Sequence, residues 1–176
     1  MENSEIRKEI QEEVWRAEKI LVGIGAEWKR GEEERETQIR RASKALQKLL
    51  EGKDHFIIST LTLEELADRG FENGNMVAPL DVSLTEEQWN GYTGWLAGTL
   101  NRTTVLLELG EGFAHPSLIR WPFERTAAIN RKARLYRVHK TFYQITEKQK
   151  EKATAVKADS VEFMEGFGEE EHGSDQ

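Results

Sequence analysis

The chain has 176 residues with no cysteine, three prolines and no apolar run that approaches the length of a membrane span. The lack of cysteine excludes disulfides, thiolate zinc sites, iron–sulfur clusters and a cysteine nucleophile. The first residues, MENSEIRKEIQEEVWRAEK, are too charged for a signal peptide, so we expect a cytoplasmic protein with no membrane partner. The net charge of −7 lacks the basic excess typical of nucleic-acid binding, so we expect no nucleic-acid partner.

Apolar and polar stretches alternate along the chain. Hydrophobic residues make up 38 % of the sequence, enough for a packed core. Apolar bursts predict six strands, which begin near residues 20, 55, 76, 104, 133 and 153, and helical periodicity predicts the segments between them. This alternation predicts an α/β protein: a three-layer Rossmann-like domain with a mainly parallel sheet of about six strands. We expect a single domain over 1–168 and a disordered acidic tail over 169–176.

A glycine turn follows the first predicted strand. Gly23 and Gly25 flank Ile24, and Ala26 comes next. In a doubly wound sheet, such a turn lets backbone N–H groups approach a pyrophosphate without obstruction by side chains. The third glycine of the G-x-G-x-x-G pattern is missing, so a tight turn with no ligand remains an equal alternative.

A second glycine loop follows the fourth predicted strand. It contains Gly110, Glu111 and Gly112, and it would lie beside the first turn if strands 1 and 4 are neighbours. Glu111 could accept hydrogen bonds from ribose hydroxyls, or it could be a solvated loop carboxylate. His115 and His139 fall on the same edge of the sheet, where each is either a site residue or a surface or capping histidine. No spacing suggests a metal site.

One longer stretch resembles a known family. The run LLELGEGFAHPSLIRWPFERTAAINRKARLYRVHKTF (106–142), together with VKADSVEFM (156–164), resembles the carboxyl half of small bacterial sirtuin-type proteins, the NAD-dependent protein deacylases. LVGIGAEW (21–28) and HFIISTLTLEELADRGF (55–71) are similar to two earlier family segments. The resemblance implies NAD or ADP-ribose as ligand. It places the pyrophosphate at Gly23, Gly25 and Ala26, the adenosine ribose near Gly110 and Gly112, and the adenine side near Ala158 and Asp159.

The chain departs from that family at the catalytic positions. Leu61 and Leu63 stand where the family has an Asn and an Asp, and the segment Ala78–Asp81 lacks the catalytic histidine. The four zinc cysteines are absent, so we expect no zinc and no small zinc domain. Since proline or leucine cannot act as a general base, the resemblance implies a binding domain without deacylase activity.

Three functions therefore stand as hypotheses. The first is a catalytically degenerate binder of NAD, ADP-ribose or a similar nucleotide. The second is an interaction or scaffold domain with a closed pocket. The bulky Glu27 and Trp28, just after the first turn, favour a filled pocket, and Trp89, Trp95 and Trp121 could form a homodimer contact. The third is an NAD-cleaving hydrolase or ADP-ribosyltransferase that uses His115 or a carboxylate such as Glu111 or Asp81.

Overall fold

The computed structural model describes the backbone of residues 2–72 and 74–174, and the side chains of those residues up to Glu169. Six strands form one sheet in which every pair is parallel, with the order β3-β2-β1-β4-β5-β6. The strands are β1 (Lys19–Ile24), β2 (His55–Ser59), β3 (Met76–Val77), β4 (Thr104–Leu109), β5 (Ala133–His139) and β6 (Ala153–Lys157). The predicted fold class, a three-layer α/β Rossmann-like fold, is confirmed.

Helices cover both faces of the sheet. They are α1 (Asn3–Arg16), α2 (Glu33–Leu50), α3 (Leu63–Asp68), α4 (Glu86–Ala97), α5 (Arg120–Ile129) and α6 (Ser160–Ser174). One apolar core lies between the sheet and α1, α2 and α6, and a second lies between the sheet and α4 and α5. Because both faces are covered, β1 and β4 are buried along almost their whole length, as expected for central parallel strands.

Two helices differ from the boundaries predicted from the sequence. The sequence over 115–130 predicts a helix entered through Pro116, but α5 begins at Arg120. Pro122 therefore lies in its first turn, where a missing N–H is tolerated. Helix α6 continues to Ser174, through most of the segment predicted as a disordered tail, and residues 175–176 lie outside the described residues. Phe163 and Phe167 anchor α6 in the core, and the glutamates that follow favour continued helix.

The carboxyl ends of β1 and β4 meet at the topological switch point of the sheet. Strands β1 and β4 are neighbours in the sheet. The connection after β1 leads to β2 on one side of this pair, and the connection after β4 leads to β5 on the other side, so the two connections run in opposite directions. Open parallel sheets bind their ligands in the crevice at such a point. Within the described residues, no helix is both long and apolar enough to cross a membrane.

Candidate functional site

The two glycine bends lie side by side at the switch point, as the neighbouring positions of strands 1 and 4 would require. Ile24 pairs with Leu109, and the Gly25 N–H donates to the Leu109 carbonyl at 2.9 Å. A Cβ on Gly25 would lie 2.6 Å from the Glu111 Cα and closer still to the Gly110 carbonyl oxygen. The bends are therefore in direct backbone contact, which only a glycine at position 25 permits.

We expect Gly25→Ala to destabilise the domain by about 1–3 kcal/mol, because the added methyl would overlap backbone atoms that cannot rotate away. Gly94→Ala is the matched control. Gly94 lies within α4, and a Cβ there would meet nothing within 4 Å, so alanine should stabilise the helix by up to about 1 kcal/mol. Urea unfolding of both variants checks this pair, and equal free energies of unfolding would contradict the backbone contact.

Backbone donors remain available on both bends. The N–H groups of Gly25 and Gly110 are used within the sheet edge, by the carbonyls of Leu109 and Val138. By contrast, the N–H groups of Ala26, Glu111 and Gly112 donate no hydrogen bond within the described part of the chain. Unpaired N–H groups clustered at strand ends are the donors with which backbone binds a phosphate or another anion.

The Glu27 carboxylate occupies a set of anion-binding donors next to these bends. Its Oε1 accepts from the Ser160 backbone N–H at 2.8 Å and from the Ser160 hydroxyl at 2.6 Å. Its Oε2 accepts from the Lys140 N–H at 3.0 Å. Ser160 is the first residue of α6, so the carboxylate lies at the positive end of a helix. An internal anion thus fills a position suited to an external one.

Trp28 and Arg35 connect the loop after β1 to the start of α6. The Trp28 ring is fully buried, and its Nε1 donates to the Ser160 hydroxyl at 3.0 Å. Arg35 donates to the Glu27 carbonyl at 2.6 Å and to both oxygens of Asp159, at 3.0 and 2.9 Å. Asp159 also accepts from two N–H groups in the first turn of α6. The sequence placed Asp159 at the site, but it did not place Glu27 in contact with α6.

Glu111 is buried at the switch point, with only 3 % of its surface exposed, so it is not a solvated loop carboxylate. The Thr60 hydroxyl, just past β2, donates to its Oε2 at 3.2 Å. Burial raises the pKa of Glu111 to about 7, and the charge on Glu108 adds to the effect. A carboxyl that exchanges protons near neutral pH at a strand end is a feature of functional sites.

The other predicted site residues lie at different distances from this centre. Gly23 lies inside β1 rather than in the bend, and a Cβ there would lie 2.6 Å from the Ile119 Cγ2. Its small size therefore allows α5 to pack closely on the sheet. His115 is exposed in the loop before α5, and Ala158 is half-buried just before α6. Gly112 lies beside Phe142, to whose Cδ2 a Cβ would come within 3.2 Å.

His139, the last residue of β5, caps the loop that follows by accepting backbone hydrogen bonds. Its Nδ1 accepts the backbone N–H groups of Thr141 and Phe142, at 2.9 and 2.8 Å. The ring proton therefore lies on Nε2 in this arrangement, and burial lowers the pKa of His139. This geometry matches the capping alternative for His139 that the sequence left open.

Sequence reasoning missed the aromatic residues of this edge. Phe113 and Phe142 follow β4 and β5 and are 53 % and 39 % exposed. In the sequence, these phenylalanines could have been noticed because each lies in a polar loop that follows a strand. Of the tryptophans noted from the sequence, Trp89 and Trp95 are half-buried against Tyr92 and Phe56, so they offer little contact surface, whereas Trp121 is 55 % exposed.

Two cavities open elsewhere on the domain. One, of about 520 Å³, lies between the end of α2 and β3, and the other, of about 1210 Å³, lies between α1, α2 and α6. Neither is lined by a residue of the switch-point edge.

Comparison with protein-family models finds no match, and comparison with curated proteins finds no significant relative.

Proposed function

We propose that the domain binds a nucleotide of the NAD or ADP-ribose class at the switch-point edge, and that Glu27 holds the anion-binding position until the ligand displaces it. The observation that carries this proposal is the Glu27 carboxylate on the Ser160 and Lys140 N–H groups. A phosphate offers the same acceptor chemistry as a carboxylate, with more oxygens and more charge.

The neighbouring donors support the same ligand chemistry. The unpaired N–H groups of Ala26, Glu111 and Gly112 flank the position of Glu27 on two adjacent bends. Lys29, in the loop after β1, and Lys140, in the loop after β5, are exposed and add positive charge. A diphosphate has enough oxygens to use several of these donors at once, whereas the carboxylate of Glu27 accepts hydrogen bonds from Ser160 and Lys140.

The proposal assigns binding and not deacylation. Leu61 is fully buried, so it offers no polar contact to a ligand. Asp81 accepts hydrogen bonds from the Ser83 hydroxyl, at 2.6 Å, and from the Leu63 N–H, at 2.9 Å. These bonds lower the pKa of Asp81, with the Ser83 hydroxyl as the main cause, which makes this carboxylate a weak base.

We expect Glu27→Ala to bind ADP-ribose at least tenfold more tightly than the wild type. The wild-type protein must break charge-assisted hydrogen bonds to admit a phosphate, and such bonds contribute about 1.5–3 kcal/mol each. Removing the carboxylate frees the Ser160 and Lys140 donors in advance. Isothermal titration of both proteins with ADP-ribose, after thermal unfolding has shown that both are folded, measures the difference.

Glu162→Ala is the matched control for charge. Glu162 is exposed in the first turn of α6, so its loss changes the charge near the helix end without freeing the donors that Glu27 holds. Its affinity for ADP-ribose should stay within about twofold of the wild type, which is well under 1 kcal/mol. If folded Glu27→Ala binds no ADP-ribose at millimolar concentration, the nucleotide proposal fails.

A closed interaction domain is the second candidate. It is favoured by the fully buried Trp28 ring and by the direct contact of the two bends, which leave no gap between β1 and β4. Trp121, exposed on α5, would then belong to a contact surface. A folded Glu27→Ala protein that binds no nucleotide, together with dimerisation that Trp121→Ala abolishes in light scattering, would favour this candidate over the first.

A further inference from the structure

Two phenyl rings stand at the rim of the switch-point edge without the burial that usually explains a phenylalanine. Phe113 and Phe142 come from different loops, and their ring centroids lie 5.2 Å apart in an edge-to-face arrangement. They are 53 % and 39 % exposed. Isolated apolar side chains on a surface need no explanation, but two rings from separate loops that share one contact form a built apolar surface.

Arg120 and His139 hold the two loops that carry the rings. The Arg120 guanidinium lies 4.1 Å from the Phe113 ring centroid, and its Nη1 donates to the Phe142 carbonyl at 3.0 Å. Arg120 is itself buried, and its Nη1 lies 3.7 Å from the Glu108 Oε2, so an ion pair with β4 holds its side chain in place. From the other side, the His139 Nδ1 accepts the Phe142 N–H at 2.8 Å. These contacts hold the Phe142 backbone and the Phe113 ring, so the two loops that carry the rings are preorganised.

The ring pair adjoins the proposed anion position. Gly112, which carries one of the unpaired N–H groups, touches the Phe142 ring. The His139 ring lies 5.0 Å from the Phe142 ring, and its Nδ1 lies 3.7 Å from the Glu27 Oε2. The His139 ring thus lies between the Glu27 carboxylate and the Phe142 ring, so the two groups belong to the same edge of the sheet.

We infer that Phe113 and Phe142 form an aromatic platform that stacks the base of the ligand, so that the site selects a nucleotide over a sugar phosphate or inorganic pyrophosphate. This inference rests on the proposed nucleotide site and adds the part of the ligand that gives selectivity. A flat base can use an exposed phenyl face, and a free pyrophosphate cannot. Stacking on aromatic side chains changes affinity by roughly 5- to 150-fold for each base.

The test uses the full chain with Glu27→Ala, titrated separately with ADP-ribose, ADP, ribose 5-phosphate and inorganic pyrophosphate. We expect ADP-ribose and ADP to bind at least fivefold more tightly than the other two ligands. Adding Phe113→Leu, which keeps apolar volume but removes the ring, should weaken ADP-ribose binding at least fivefold and leave pyrophosphate binding unchanged. Phe113→Trp should retain the tight binding of ADP-ribose.

Trp15→Ala is the control for removal of an exposed ring. Trp15 is 83 % exposed at the end of α1, before β1 begins, and therefore lies at the opposite edge of the sheet. In the Glu27→Ala protein, Trp15→Ala should change neither the affinity for ADP-ribose nor the affinity for pyrophosphate. If Glu27→Ala binds pyrophosphate and ADP-ribose equally well, or if Phe113→Leu weakens both alike, the platform is overturned while the anion site stands. If none of the four ligands binds, the platform and the proposed function fall together.

Discussion

Arg137→Met is expected to lower the free energy of unfolding by about 3–5 kcal/mol, because it leaves a carboxylate buried without its partner. Glu108 is the next-to-last residue of β4 and is almost fully buried. Arg137, on the neighbouring β5, donates to its two oxygens at 2.6 and 3.1 Å. Burial raises the pKa of Glu108, and the guanidinium of Arg137 opposes that shift. Without Arg137, the nearest cation is Arg120, at 3.7 Å.

The double variant Glu108→Leu with Arg137→Met should recover only part of this loss, because it leaves the buried Arg120 without Glu108 and leaves Glu124 without Arg137. Removing both members of a buried ion pair removes the desolvation of both charges, and apolar replacements of similar size often restore stability. Arg134→Met is the control on the same strand, because Arg134 is exposed and donates to the Glu151 carbonyl at the surface. Guanidinium unfolding measures all three, and a loss below about 1 kcal/mol for Arg137→Met would contradict the argument.

Glu111→Gln is expected to stabilise the protein at pH 8 and to leave its stability nearly unchanged at pH 5. The pKa of Glu111 is about 7 in the folded protein, against an ordinary value of 4.5. Between these values the folded state binds more protons than the unfolded state, so stability falls as pH rises, by at most about 3 kcal/mol above pH 7. Glutamine does not titrate and can still accept from the Thr60 hydroxyl.

His139 contributes the opposite slope. Since burial lowers its pKa, the folded state resists protonation, and the stability contributed by the neutral ring is lost as pH falls below its ordinary value of 6.5. Both proteins carry this residue, so the difference between the variant and the wild type isolates Glu111. Thermal unfolding at pH 5, 6, 7 and 8 measures it, with Glu162→Gln as an exposed control. Parallel curves for Glu111→Gln and the wild type would show that the carboxyl is not held in the desolvated position described.

The fold was readable from the sequence because its strongest signals are local. The strands predicted to begin near residues 104 and 133 begin at Thr104 and Ala133, and local capping boxes at Thr62 and Thr85 begin α3 and α4. Helix α4 contains two glycines, which disfavour helix, yet it forms because Tyr92 is buried and Trp89 and Trp95 pack around it. Helix propensity is a weak preference, and aromatic packing of this kind overrides it.

The site was only half readable, because its decisive contacts join residues far apart in the chain. Glycines at two strand ends pointed to the switch point, and the pairing of β1 with β4 brings them together. Nothing local indicated that the Glu27 carboxylate would reach Ser160, 133 residues later, or that Arg120 would hold Phe113 and Phe142 in contact. Such contacts depend on crossover connections, which sequence patterns do not encode residue by residue.

The sequence by itself determined the alternation of strands and helices, the two bare-backbone bends and the absence of cysteine chemistry. Hydrophobic periodicity and the conformational freedom of glycine act over a few residues, so they can be read along the chain. Only the tertiary structure decided that the bends touch, that Glu27 occupies the donors at α6 and that Glu111 is desolvated. Burial and electrostatics depend on which distant groups surround an atom, and folding alone determines that.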